Sequence, residues 1–242
     1  MGRIAILGAS GTIGSVLAGR LAGQGQSLLL LGRSAEKLAA VSAATGQPSQ
    51  VVDLQSSQPL EDVLRAASAE GPFTAIVNCI GSVLLKPAHS TTDEEFRRVV
   101  ETNLFTSFAA VRAGGKLLRE SGGSIILFAS AAAEIGIQNH EAIAAAKAGV
   151  IGLARSAAAT YAPSNIRINV ISPGLIRTEM TRRIWENPAA ASASTAMHAL
   201  GRLGSPEQVA SLAEWLLSPQ NDFVTGQVIG IDGGLGHLLA RR

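Results

Sequence analysis

Short apolar runs recur along the chain, each bounded by Gly, Pro, Ser or Asn, with longer helix-period segments between them. Seven runs read as strands: Ile4 to Leu7, Ser27 to Leu31, Gln50 to Asp53, Thr74 to Asn78, Ser124 to Ala129, Ile166 to Ile171 and Gln227 to Ile231. They are continuously apolar rather than alternating, as strands covered on both faces are. Helical patterns fill the intervals. Ile13, Val16, Leu17 and Leu21 share one face after the first glycine loop. Thr92 to Glu95 is a capping-box pattern that opens a long helix through Phe96, Val99 and Val100. Ser205-Pro206-Glu207-Gln208 is a second helix start, with serine as cap and proline in the first turn. Strand and helix in alternation imply right-handed crossovers and an α/β fold with a parallel sheet. The Ala/Ser stretch from Ala189 to Ala196 reads as a mobile surface segment.

Composition narrows this picture. The 242 residues suit one α/β domain spanning 1–242. Charged residues are only 16%, so much of the chain must be buried in a fold or against partner subunits. A net charge of +2, with no dense Lys/Arg stripe and few stacking aromatics, argues against nucleic acid as a partner. The one cysteine, Cys79, has no internal disulfide partner and reads as packing. No apolar run approaches the ~18 residues of a membrane span, and a strand pattern begins at Arg3 with no leader-like region before it. A soluble cytoplasmic protein with no membrane partner and no metal is the expectation.

The chemistry concentrates at strand ends. Gly8-Ala9-Ser10-Gly11-Thr12-Ile13-Gly14 follows the first strand and opens the first helix. Glycines allow a tight turn and close backbone approach, and the helix N-terminus offers free N–H groups and a positive dipole end to a pyrophosphate. The second strand ends at Gly32-Arg33, where NAD-binding folds usually place an acid. An arginine suits a ribose 2′-phosphate, so NADP(H) is expected over NAD(H). Read alone, Arg33 is also compatible with a solvated charge on a turn. Asp53, followed by Leu54 at the end of the third strand, could meet the adenine or simply close the strand.

Together these segments resemble the short-chain dehydrogenase/reductase family in its one-domain form, over essentially the whole chain. The resemblance rests on the glycine loop, Asn78-Cys79-Ile80-Gly81, Asn103 in a long helix and Ser130 after the fifth strand. It continues through Lys147-Ala148-Gly149, Asn169 to Gly174 with Thr178, Thr225-Gly226-Gln227 and Asp232-Gly233-Gly234. It implies a doubly wound Rossmann fold, a seven-stranded parallel sheet with helices on both faces, a nicotinamide cofactor, a small-molecule substrate and a homotetramer or homodimer. The long helix with Asn103 and the one with Lys147 would be the interface elements. By the same resemblance, Asn78 and Gly81 flank the adenosine side of the cofactor and support the sheet. Pro173, Gly174, Ile176 and Thr178 hold the nicotinamide carboxamide. Lys147 bonds the nicotinamide ribose, Asn103 holds a relay water, and Ser130 bonds the substrate oxygen. The segment near 175–200 covers the substrate; Arg177, Arg182, Arg183 and Trp185 within it either favour an acidic or acyl substrate or lie on a solvated or subunit-contact surface.

Two departures stand out. The glycine spacing is Gly-x-x-Gly-x-x-Gly, where one-domain members more often have Gly-x-x-x-Gly-x-Gly; the loop chemistry survives that change. The family's acid/base is a tyrosine four residues before the lysine, and this chain has Ile143 there. Isoleucine donates no proton. His140, Glu141 or a water held by Ser130 and Lys147 are the candidate replacements, and a chain that binds cofactor without turnover is the alternative.

Overall fold

The computed structural model describes residues 2–53 and 57–239. All seven expected strands form: β1 Arg3–Leu7, β2 Leu28–Gly32, β3 Ser49–Val51, β4 Phe73–Asn78, β5 Gly123–Phe128, β6 Ile166–Pro173 and β7 Val228–Ile231. They make one sheet in the order β3-β2-β1-β4-β5-β6-β7, every pair parallel. The order reverses between β1 and β4, and such a switch point opens a crevice at the carboxyl ends of the strands. β3 stops two residues before the expected end, so Asp53 lies beyond it, and Leu54 lies outside the described residues.

The continuous apolar runs have a simple cause. Ala5, Leu7, Leu29, Leu31, Ile125 and Leu127 face one core, while Ile4, Ile6, Leu28, Leu30, Ile126 and Phe128 face the other. Alternate residues of the central strands thus serve opposite faces, so polar positions on them are few, and Asn78 and Asn169, both buried, are hydrogen-bonded. The first core is closed by α3 (Gln58–Ala67), α5 (Thr106–Leu117) and α6 (Glu141–Tyr161). The second is closed by α1 (Thr12–Gly23), α2 (Ala35–Thr45) and α9 (Pro206–Leu217).

Both capping boxes form. Thr92 and Glu95 start α4 (Asp93–Val100), and Ser205 and Gln208 start α9. The long helix expected through Asn103 is α4 and α5 joined by one π turn, Glu101–Phe105. No Pro or Gly lies within that turn to announce it, and such turns tend to occur at functional sites.

Two expectations need correction. Ala189 to Ala196, expected as a surface segment without regular structure of its own, forms most of α8 (Pro188–Met197), which follows a single turn, α7 (Arg182–Trp185). Asn187 caps α8 by accepting from Ala190 N at 3.0 Å, with Pro188 in the first turn. Alanine's helix propensity then carries the rest. The second concerns membrane length: Glu141–Ser164 is long and apolar enough to cross a bilayer by composition. Half of that window is buried in the fold, which is the signature of a core helix.

Candidate active site

The glycine loop is pinned to the sheet from below. Gly8 N and Ala9 N both donate to Leu31 O, at 2.8 and 3.0 Å. Gly8 has φ 73, which favours glycine. A Cβ on Gly14 would lie 2.4 Å from Gly8 O, so the loop and α1 touch with no room for a side chain. No side chain caps α1, which leaves its first-turn N–H groups free for an anion. Thr12 Oγ1 accepts from Glu179 N at 3.2 Å, tying the segment after β6 to this loop. Ser10 and Gly32 are in close approach, since a Cβ on Gly32 would stand 3.3 Å from Ser10 Oγ. Arg33 follows, exposed, with no ion pair among the described residues. Asp53 is exposed as well.

A second group lies across the crevice. Lys147 is buried on α6 and donates to Phe128 O at 2.8 Å, two residues before Ser130. Ser130 caps a short 3-10 turn, its Oγ accepting from Ala132 N at 3.2 Å. Asn103 is fully buried at the π turn; its Oδ1 accepts from Ser82 N, and its Nδ2 donates to Ser82 Oγ and Val99 O. Gly81 joins these groups. A Cβ there would be 3.2 Å from Asn103 Oδ1 and 3.6 Å from Lys147 Nζ. Gly81 therefore neighbours the lysine, while Ile80 just before it adjoins Gly8 of the glycine loop. The Asn78 amide is committed to bracing, donating to Thr106 and Ser107 and accepting from Ile80 N.

Burial without a counter-charge pulls the Lys147 ammonium down from its ordinary 10.5 to about 8. Between those values the unfolded chain holds more proton on this residue than the fold does, so stability rises with pH there. The desolvation cost is fully present below pH 8 and gone above 10.5, and amounts to about 3 kcal/mol. Lys147→Met is expected to stabilise the fold at pH 7 by roughly 2 kcal/mol, after the lost bond to Phe128 O is counted. Thermal melts check this, with the gap between variant and parent closing as pH rises past 8 toward 10.5.

Ile143 lies one helical turn before Lys147 and is 4% exposed. It packs with Val99, Ala142 and Ala146, and with Leu84 and Val100 at the margin. Neither nearby titratable residue of α6 is directed into this group by a bond. His140 is the N-terminal cap residue, with Nδ1 2.8 Å from Gln138 O. Glu141 is exposed, and at about 100° per residue it lies on the far side of α6 from Ile143.

Three residues of this region escaped the sequence reading. Ser82 holds the Asn103 amide. Glu134, the one charged residue between Ser130 and His140, hydrogen-bonds Ser172 Oγ with one carboxylate oxygen and approaches His237 Nε2 at 3.7 Å with the other. An acid inside a small apolar loop was a visible signal. His198 is buried beneath the segment after β6, and no local pattern announced it.

Pro173 ends β6 and Gly174 follows it. Ile176 is buried and bridges to Gly204, while Thr178 faces Thr181 with its hydroxyls 3.1 Å apart. Trp185 Nε1 donates to Thr178 O at 2.9 Å, folding α7 back on this segment. Arg182 pairs with Glu179 and Glu186 on the surface, and Arg177 and Arg183 are exposed. Cys79 is half-buried against the second core, where desolvation pushes its thiol up to about 12.

The chain was compared with known proteins. A family profile described as enoyl-(acyl carrier protein) reductase, of the short-chain alcohol dehydrogenase type, matches residues 8–236. The chain is 35% identical over 211 residues to an inactive 2-(S)-hydroxypropyl-CoM dehydrogenase 2 of Xanthobacter autotrophicus, covering 84% of this chain and 91% of that one. Among solved structures it is similar to a short-chain type dehydrogenase/reductase from Mycobacterium ulcerans, at 29% identity and TM-score 0.91, over 97% of this chain and 89% of that one. It is also similar to an actinorhodin polyketide ketoreductase solved with NADPH, at 28% identity and TM-score 0.87, over 98% of each. The chain belongs to the short-chain dehydrogenase/reductase family of nicotinamide-dependent oxidoreductases acting on small molecules.

Proposed function

We propose that this chain is an NADP(H)-binding oxidoreductase whose site lacks the proton donor, so that turnover is slow or uses a modified proton path. One observation carries the reading: Ile143, buried among apolar side chains, stands one turn before a buried Lys147 that neighbours Gly81 and Asn103 and bonds Phe128 O, two residues before Ser130. On the family's pattern that is the tyrosine position.

The residues present fit the cofactor. Uncapped α1, a loop too tight for side chains at Gly14, and Gly32 backed by Ser10 make a cradle for a pyrophosphate and the adjoining ribose. Thr12 and Ile13 would present backbone N–H groups, Gly11 would close the loop through its own N–H to Gly8 O, and Arg33 would meet the 2′-phosphate with paired charge-assisted bonds. Gly8, Ser10 and Gly14 shape the loop, while Asp53 flanks the adenine side. Lys147 would hold the nicotinamide ribose, and Pro173, Gly174, Ile176 and Thr178 the carboxamide. Bound NADP(H) supplies the hydride.

Within the chain, Ser130 would donate to the substrate oxygen. Lys147 and Asn103 would order a water beside it, replacing the missing phenol by a weaker acid. The segment near 175–200 would exclude bulk water. The substrate would be a small carbonyl or alcohol. Assembly as a homotetramer or homodimer belongs to the same reading, and the exposed Phe96 and Phe108 offer apolar surface for it.

A second reading has an observation of its own. A relative covering 91% of its own length carries the word inactive in its name. On that reading the chain binds NADP(H) as a sensor or non-catalytic subunit. Hydride transfer from NADPH to a broad carbonyl panel separates the two. Stereospecific transfer lost in Ser130→Ala supports the enzyme; no transfer with cofactor demonstrably bound supports the second reading. Arg33→Ala is expected to weaken NADPH by about 10–100-fold, the worth of a charge-assisted bidentate contact, and NADH by about twofold at most. Calorimetric titration of both cofactors checks this.

A further inference from the structure

His198 is 3% exposed and lies just past the last turn of α8. Its two ring nitrogens are both engaged. Nδ1 is 2.6 Å from Ser194 O, and Nε2 is 3.1 Å from Leu175 N. A backbone carbonyl only accepts and a backbone N–H only donates. The partners therefore fix one neutral tautomer, with the proton on Nδ1 and the lone pair on Nε2.

The two partners belong to different parts of the site. Ser194 lies on α8, in the segment that would cover the substrate. Leu175 follows Gly174, in the stretch assigned to the nicotinamide carboxamide. The fit is close: a Cβ on Gly174 would stand 2.6 Å from His198 Nε2 and 2.9 Å from Asp232 Cα. The ring borders a cavity of about 350 Å³, also lined by Gly174, Leu175, Ile176, Arg202, Gln208 and Asp232. The loop is stitched to Gly204 through Gly204 N to Leu175 O and Arg177 N to Gly204 O, each at 3.0 Å. The imidazole is the side chain that fills the space between that loop and α8, and its loss would let the loop relax into the cavity.

We propose that His198 is a positioning residue for the nicotinamide half of the site. It seats Gly174 and Leu175 and the end of α8 as one body, so that the loop that takes the carboxamide and the segment that covers the substrate are set together. The proposal rests on the NADP(H) reading above. It concerns only one end of the cofactor, since His198 has no bond to the glycine loop or to Arg33.

The test uses two ligands: NADPH, and adenosine 2′,5′-bisphosphate as the adenosine half alone. His198→Leu keeps an apolar side chain and removes both polar atoms. It is expected to weaken NADPH by about tenfold, the loss of one to two buried hydrogen bonds, and to leave the bisphosphate within about twofold. His198→Gln carries one acceptor and one donor and is expected to keep NADPH within about threefold of the parent. Unchanged NADPH binding in His198→Leu, or equal loss of both ligands, overturns the proposal. If that variant does not fold, ¹⁵N spectra of the unsubstituted protein decide: a protonated Nδ1 and a slowly exchanging Leu175 amide are expected, and an Nε2–H tautomer or a rapidly exchanging amide overturns it. Binding of neither ligand to the unsubstituted protein would instead remove the NADP(H) reading, and this proposal with it.

Discussion

Ile143→Tyr is expected to raise the rate of carbonyl reduction by about 10²–10⁴-fold, the usual range for a positioned general acid. That is about 3–5.5 kcal/mol of barrier. The surroundings are ready for a phenol. Position 143 is one turn from Lys147, whose ammonium has no carboxylate partner among the described residues and lies beside the end of β5. A phenolate forming there would meet an unscreened positive charge, which lowers the phenol's pKa toward neutrality. Space is the opposing effect, because a ring must displace part of the cluster formed by Val99, Ala146 and Leu84. Leu84 is only partly buried on the segment after β4, so it can yield without disturbing the sheet. Steady-state NADPH oxidation with a carbonyl panel reads the gain, and adding Ser130→Ala to the variant should abolish it. A tyrosine variant that binds NADPH as the parent does yet gains nothing would show that the rest of the site is not preorganised.

Gly14→Val is expected to reduce NADPH affinity by more than about 100-fold, or at least about 2.7 kcal/mol. The added Cβ would face Gly8 O at 2.4 Å and Ala9 Cα at 2.9 Å, both backbone atoms. Relief requires the loop itself to move. That loop is held from below by two bonds to Leu31 O, so it moves only by breaking them or by tilting α1. Either outcome misaims the free N–H groups at the helix start. Overpacking also costs about 1–3 kcal/mol of stability, so circular dichroism must accompany the calorimetry. A folded valine variant with normal NADPH affinity would mean that the glycine loop is not the cofactor cradle.

The central strands were legible because they must satisfy two cores, which leaves a run such as Leu28 to Leu31 no polar position. The starts of α4 and α9 were legible because their capping boxes are local chemistry. What escaped was set by contacts distant in sequence. Ala189 to Ala196 has no apolar periodicity, and only the cap at Asn187 and Pro188 marks it as α8. The π turn at Asn103 packs against α6 and contains no breaker residue. The approach of Gly81 to Lys147 and Asn103 was likewise not legible. His198 and Leu175 are 23 residues apart, and Glu134 and Ser172 are 38 apart. Pairings of that kind leave no mark in a local pattern.

Everything proposed for this chain depends on its binding NADP(H). Calorimetric titration of the unsubstituted protein with NADPH and with NADH tests that most directly. The account predicts saturable binding of NADPH, tighter than NADH by at least about tenfold through the Arg33 contact. Binding of neither, or a preference for NADH, would contradict it.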